Sequence, residues 1–185
     1  MKKLHFAIVI ISFILPKICL GVDVSERSTD EKKIGKWHVI EIANPGQMSY
    51  RMASISINSD NATLAFDFIP SKKCVATAAV IAMDLGHYDS SFDGGHLPMK
   101  YKIPGEKKEK LELVNTVMTV GDRFAFISFS TLKAETIYKT KSDSKLAVWV
   151  AESPDAGIEQ SNMYFSLDGF KTAYDAMKKS CISNM

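Results

Sequence analysis

What this sequence lacks narrows its chemistry before anything it contains is weighed. It has no Gly-x-Ser-x-Gly elbow, no Cys-x-x-Cys pair and no glycine-rich phosphate loop. The strand-turn-helix nucleophile, the dithiol redox centre and the nucleotide cradle therefore have no local signature here. No His-Glu-x-x-His helix and no alternating Asp pattern of a calcium loop is present either. Cysteine is scarce, with three in the chain, and tryptophan scarcer, with two. No apolar run beyond residue 21 approaches the roughly 18 to 20 residues that span a bilayer as a helix.

Charge of one sign is also missing. Lys2, Lys3 and Lys17 lie in the first 21 residues; without them the 23 basic residues fall one short of the 21 acidic ones. A near-neutral chain gives no electrostatic footprint for nucleic acid. The densest basic cluster, Lys107, Lys108 and Lys110, alternates with Glu106, Glu109 and Glu112. It reads as a solvated turn or strand edge.

The first residues are the most informative. Lys2 and Lys3 precede an apolar run from Phe6 to Leu15, then Pro16, with small residues Cys19 and Gly21 three and one before the Gly21-Val22 bond. This is the three-part pattern of a bacterial signal peptide over residues 1–21, and it predicts a periplasmic or secreted product with no transmembrane segment after cleavage. Cys19 leaves with the leader, so Cys74 and Cys181 remain as a pair. An even count in an exported chain predicts one disulfide between them.

Residues 22–35 are charged and lack aromatics, which predicts a flexible lead-in to a single domain over 36–185. From Trp37 the chain reads as short β-branched and aromatic runs divided by turn residues. Strands are expected near Trp37 to Ile42, Met48 to Ile57, Ala62 to Ile69, Cys74 to Met83, Met99 to Ile103, Leu111 to Val120, Phe124 to Phe129 and Leu146 to Ala151. Thr131 to Lys139 fits neither period. Phe170, Ala173, Tyr174 and Met177 recur at helical spacing, with Ser166 or Asp168 as a cap and Lys178 and Lys179 in the last turn. Cys181 falls about three turns after Phe170, on the same stripe, where it meets Cys74 beneath the docked helix. These elements predict a mainly β fold, an antiparallel β-sandwich with a C-terminal α-helix.

One loop stands out. From Asp84 to His96 it carries His87, Asp89, Asp93 and His96 among glycines and serines, and these four are the candidate binding residues. Imidazole and carboxylate suit zinc or copper, yet the spacing matches no ligand motif, so no metal and no cofactor are assigned. Asn61-Ala62-Thr63 matches a glycosylation sequon and reads as a turn. The aromatics Trp37, Trp149, Phe124, Phe126 and Phe129 read as core at strand spacing rather than as a stacking surface.

A first strand carrying Trp37-His38-Val39, a mid-chain cysteine, and a closing Phe165-Ser166-Leu167-Asp168-Gly169-Phe170-Lys171-Thr172-Ala173 junction with a late cysteine together resemble the invasion-associated locus B family of exported Gram-negative proteins. The resemblance implies an exported β-sandwich, a link to host-cell invasion, and no catalytic residues to carry over. The chain departs from that pattern in lacking a cysteine soon after Val39 and another where Tyr50-Arg51-Met52 stands.

The resulting expectation is not an enzyme but an exported envelope or surface-associated binding protein, acting on a protein or another envelope macromolecule in a host-interaction setting. An inhibitor of a hydrolase such as lysozyme, inserting the 84–96 loop into a cleft, is the alternative. A metal-dependent enzyme built on that loop is the third.

Overall fold

The computed structural model describes residues 28–44, 47–58, 62–84, 96–118, 124–140, 144–150 and 161–185. Along the chain run β1 (Ser28–Ile34), β2 (Trp37–Asn44), β3 (Gln47–Ile55), β4 (Ala62–Phe68) and β5 (Ala78–Asp84). There follow β6 (His96–Lys102), β7 (Lys110–Met118), β8 (Phe124–Lys133), α1 (Ala134–Tyr138), β9 (Lys145–Val150), β10 (Ser161–Ser166) and α2 (Phe170–Ser183). The strands pair antiparallel in the order β1-β2-β3-β4-β5-β8-β7-β6-β9-β10. The array folds over a single core to make an antiparallel β-sandwich with a C-terminal helix, as the sequence pattern predicts.

Period-2 alternation decides what goes inside. In β4, Leu64, Phe66 and Phe68 are buried on the face that also receives Trp37 and Val39 of β2 and Tyr50 and Met52 of β3. Onto this face α2 lays its stripe of Phe170, Ala173, Tyr174, Met177 and Cys181, all buried. Phe170 meets the Trp37 ring edge-on at 5.0 Å between centroids, and Tyr174 meets Phe68 at 5.2 Å. Such pairs add about 0.5 to 1.5 kcal/mol each beyond their buried area.

Cys74 and Cys181 form the expected disulfide, with Cα atoms 5.8 Å apart and a sequence separation of 107. Closing a loop of that length stabilises by roughly 4 to 5 kcal/mol in the chain-entropy model, an upper figure. Cys74 itself is not in a strand. Pro70–Lys72 form a 3-10 turn, and Lys73 and Cys74 follow with φ of 58° and 52°. Left-handed backbone costs a non-glycine residue about 1 to 2 kcal/mol. Cys74 is held there by its N–H donating to Ile69 O at 3.1 Å and by the bridge to α2. The strand expected from Cys74 therefore starts only at Ala78.

Three other expectations need correction. The lead-in over 22–35 contains β1, whose backbone pairs with β2 from Ser28↔Ile42 to Ile34↔Trp37. Its Glu31, Lys32 and Lys33 carry no apolar pattern because they sit on an edge strand, where charge is what keeps the edge from pairing further. Neither Ser166 nor Asp168 caps α2: the N-cap is Gly169, at φ +79° and without a side-chain bond. Finally, α2 runs to Ser183, so Lys178 and Lys179 stop short of its last turn. Thr131 to Lys139 divides between the end of β8 and α1.

Gly169 is required by packing. It crosses Gly35, the turn residue between β1 and β2, so closely that a Cβ on Gly35 would lie 2.6 Å from Asp168 O. Beside this crossing Lys36 N–H donates to Asp168 O at 3.1 Å, and the Trp37 indole N–H donates to Ser166 O at 3.1 Å. The two segments that carry the family resemblance are thus one packing unit.

The end of the array is closed as well. Ile57 N–H, just beyond β3, donates to Tyr164 O of β10 at 2.8 Å. The Asn58 side chain then acts as a surrogate peptide: its Oδ1 accepts from Tyr164 N–H at 2.9 Å and its Nδ2 donates to Asn162 O at 2.6 Å. Groups on β10 that an edge strand would leave open are satisfied in this way.

Candidate functional site

The loop singled out in the sequence lies between β5, which ends at Asp84, and β6, which begins at His96. His87, Asp89 and Asp93 lie outside the described residues. His96 is in β6, its Cα opposite that of Asn115 in β7. Among the described residues no three His, Cys, Asp or Glu side chains converge to hold a metal.

What the structure does assemble is the outer face of β7, β6, β9 and β10. Met99 and Tyr101 of β6, Val114 of β7, Leu146 and Val148 of β9, and Met163 and Phe165 of β10 are buried in the core. The alternate residues of each strand therefore point outward. The register lines them up across strands that are far apart in sequence. Leu111 is opposite Lys100, Lys100 opposite Trp149, and Trp149 opposite Asn162. The next row joins Lys102, Ala147 and Tyr164, and reaches Ile57 across the seam.

This face is both basic and apolar. Lys100, Lys102 and Lys145 are exposed, while Trp149 and Tyr164 are half-buried against their strands. Leu111 is 68% exposed and Ile57 45%, two of the few large apolar side chains left in solvent among the described residues. Among the described residues no ion pair involves Lys100, Lys102 or Lys145. Of the described carboxylates near them, Glu106 is paired with Lys110 at 3.0 Å, and exposed Glu109 follows the Tyr101↔Lys110 pairing to the position beside Lys102. Directly opposed positions on neighbouring strands are about 4.5 to 5.5 Å apart at Cβ, so Lys100 and Trp149 stand side by side on this face. Trp149 is accordingly not the core aromatic that its strand spacing suggests, whereas Trp37 and Phe129 are.

A buried carboxylate of a different kind sits on the inner side. Glu112, read from the sequence as part of a solvated charged turn, is 8% exposed. Its Oε1 accepts from the Ser130 hydroxyl at 2.6 Å and from Ser130 N–H, and its carboxylate also takes Thr131 N–H at 3.2 Å and the Thr131 hydroxyl. The cause is a bulge: between Val80↔Ser128 and Ala78↔Lys133 the β5-β8 ladder slips, leaving the amides of Ser130 and Thr131 without strand partners. Burial pushes the Glu112 carboxyl up, but the hydrogen bonds from Ser130 and Thr131 outweigh it and hold it below its ordinary range. Tyr101 and Thr131 share a further bond at 2.7 Å. The group is a plug for backbone donors, with its acceptor capacity spent on the protein.

The α1-α2 contact is another polar cluster. Tyr174 donates to Glu135 at 3.1 Å and Tyr138 to Asp175 at 3.1 Å. Burial, then the Glu135 charge, pushes the Tyr174 phenol up to about 12. His38 is half-buried and pairs with Glu31 of β1 at 2.6 Å.

Sequence reasoning missed the outer face because Leu146-Ala147-Val148-Trp149-Val150 is apolar at every position, so alternation cannot say which side is solvent. The available signal was Lys100 and Lys102 flanking Tyr101, which sets the parity of β6 and, through it, of its neighbours.

No family model and no curated protein matches this chain. Its fold matches the crystal structure of invasion associated protein B from Bartonella henselae, with a TM-score of 0.53 and 16% identity. The match covers 84% of this chain and 99% of that one, and it is a likeness of fold.

Proposed function

We propose that this chain is an exported bacterial envelope or surface-associated protein that works by binding another macromolecule rather than by catalysis. The observation that carries the reading is the outer face of β6, β9 and β10, where lysines and half-buried aromatics stand beside exposed aliphatic side chains. Surfaces of monomeric proteins rarely cluster large apolar groups without a partner. Tryptophan and tyrosine are the residues on which interface energy concentrates.

Export is supported by the leader pattern in residues 1–21 and by the Cys74-Cys181 bridge, which belongs to an oxidising compartment. The likeness to invasion associated protein B is compatible with a host-facing role. The test is capture of partners from native envelope by the full chain and by two variants. Trp149→Ser is expected to weaken capture by at least about tenfold while leaving the melting temperature within a few degrees. Joint replacement of His87, Asp89, Asp93 and His96 tests the loop instead. Capture lost through the loop variant and unchanged by Trp149→Ser would move the site off this face.

A further inference from the structure

We infer that the partner of this face is an acidic protein segment bound in extended conformation across the Lys100, Lys102 and Trp149 rows; the inference rests on the binding role proposed above. Charge selects the sign of the partner. Lys100, Lys102 and Lys145 are exposed with no ion pair among the described residues; the positions paired with Lys100 hold Leu111 and Trp149, those paired with Lys102 on β9 and Lys145 on β10 hold Ala147 and Ser166, and the three lysines outnumber the one described carboxylate beside them, Glu109.

Spacing selects the conformation. Lys100 and Lys102 are alternate residues of one strand, so their Cα atoms stand about 6.6 to 6.8 Å apart, twice the rise per residue. Alternate side chains of an extended peptide repeat at that same distance. A segment lying over the gap between β6 and β9 therefore turns carboxylates at every second position toward successive ammonium groups, and its intervening side chains toward Trp149 on β9 and Tyr164 beyond it on β10.

Apolar chemistry selects protein over a polyanionic sugar. A glycan can stack on Trp149 and Tyr164, but it offers little to Leu111 at 68% exposure or to Ile57 at 45%. Those aliphatic groups gain only by burial against other apolar groups, at about 25 cal/mol per Å². An acidic segment with aliphatic neighbours satisfies both halves of the face, and its charge complementarity speeds encounter while setting register.

The experiment measures binding of the full-length mature protein to a labelled peptide of alternating glutamate and leucine. Comparison probes are a block peptide of the same composition, heparin, and vesicles of phosphatidylcholine with phosphatidylglycerol. The alternating peptide is expected to bind at least about tenfold more tightly than the block peptide, with binding falling as salt rises. Lys100→Glu with Lys102→Glu is expected to weaken it by about tenfold or more. Trp149→Ala is expected to weaken it comparably and Trp149→Phe to restore part of the loss, with circular dichroism unchanged throughout.

Equal binding of the two peptides, or preference for heparin or the vesicles, overturns the extended acidic segment. Envelope capture that depends on Trp149 but is neither salt-sensitive nor competed by the alternating peptide also overturns it, while leaving the binding role intact. Loss of both capture and peptide binding as functions of this face removes the binding role with it.

Discussion

The half of the sandwich built from β1 to β4 and the half built from β6, β7, β9 and β10 solve the same problem differently. In the first, α2 covers the inner face with aromatic rings and is bolted to it by Cys74-Cys181. In the second, no helix among the described residues contributes such a stripe; a buried carboxylate, Glu112, satisfies the bulged backbone of β8, and the outer face is left rich in lysine and apolar groups. Cohesion is concentrated where the sequence is most aromatic, and the surface with chemistry to spare lies on the other half. A protein whose stability rests on one set of residues is free to use another set for contact.

The comparison is broken most directly at the helix. Phe170→Ala removes the ring that touches both Trp37 and Phe66 and is expected to cost about 3 to 5 kcal/mol in chemical denaturation. Lys171→Ala on the same turn should stay within about 0.5 kcal/mol. Equal midpoints for the two variants would mean that α2 does not carry the first half.

Tyr174 sharpens the same point through pH. Its folded pKa is raised from 10.0 to about 12, so its contribution is fully present below pH 10 and is lost as pH climbs through 12. The linked loss is about 2 to 3 kcal/mol once the phenol is ionised in both states. Tyr174→Phe keeps the packing and should flatten this alkaline slope in stability measured between pH 9 and 12; an unchanged slope would place the titration elsewhere.

Of the three groups Phe170, Tyr174 and Glu112, the last is expected to show the smallest effect: Glu112→Gln costs about 1 to 2 kcal/mol, because the amide oxygen still accepts from Ser130 while the NH2 group replaces the acceptor that met Thr131. The sign with pH is opposite to that of Tyr174. The Glu112 carboxyl is held low in the fold, so its stabilisation is present above the carboxylate's ordinary range and fades as pH falls through the folded value. The variant should therefore lose part of the acid-side slope, read from urea midpoints between pH 3 and 7. A Glu112→Gln cost exceeding that of Phe170→Ala would reverse the ranking of the two halves.

Much of the cohesive half was legible in the sequence. Leu64, Phe66 and Phe68 show their face by period 2, and Phe170, Ala173, Tyr174 and Met177 by period 3.6; both are local rules that a single segment obeys by itself. The cysteine pair followed from counting. The contact half was not legible for the converse reason. Lys100, Trp149, Tyr164 and Ile57 are neighbours only because β6, β9, β10 and the end of β3 fall into one register, and no segment contains that information.

The sequence by itself thus determined the antiparallel β class, the terminal helix and its buried stripe, and the Cys74-Cys181 pairing. Tertiary structure alone decided that residues 28–34 are an edge strand rather than a lead-in and that Glu112 is a buried plug rather than a solvated charge. It also decided that Trp149 faces out. The physical reason is common to all three. An edge strand, a bulge and a sheet face are each defined by what lies beside them in space, and side-chain pattern reports that only when one neighbouring face is apolar and the other polar.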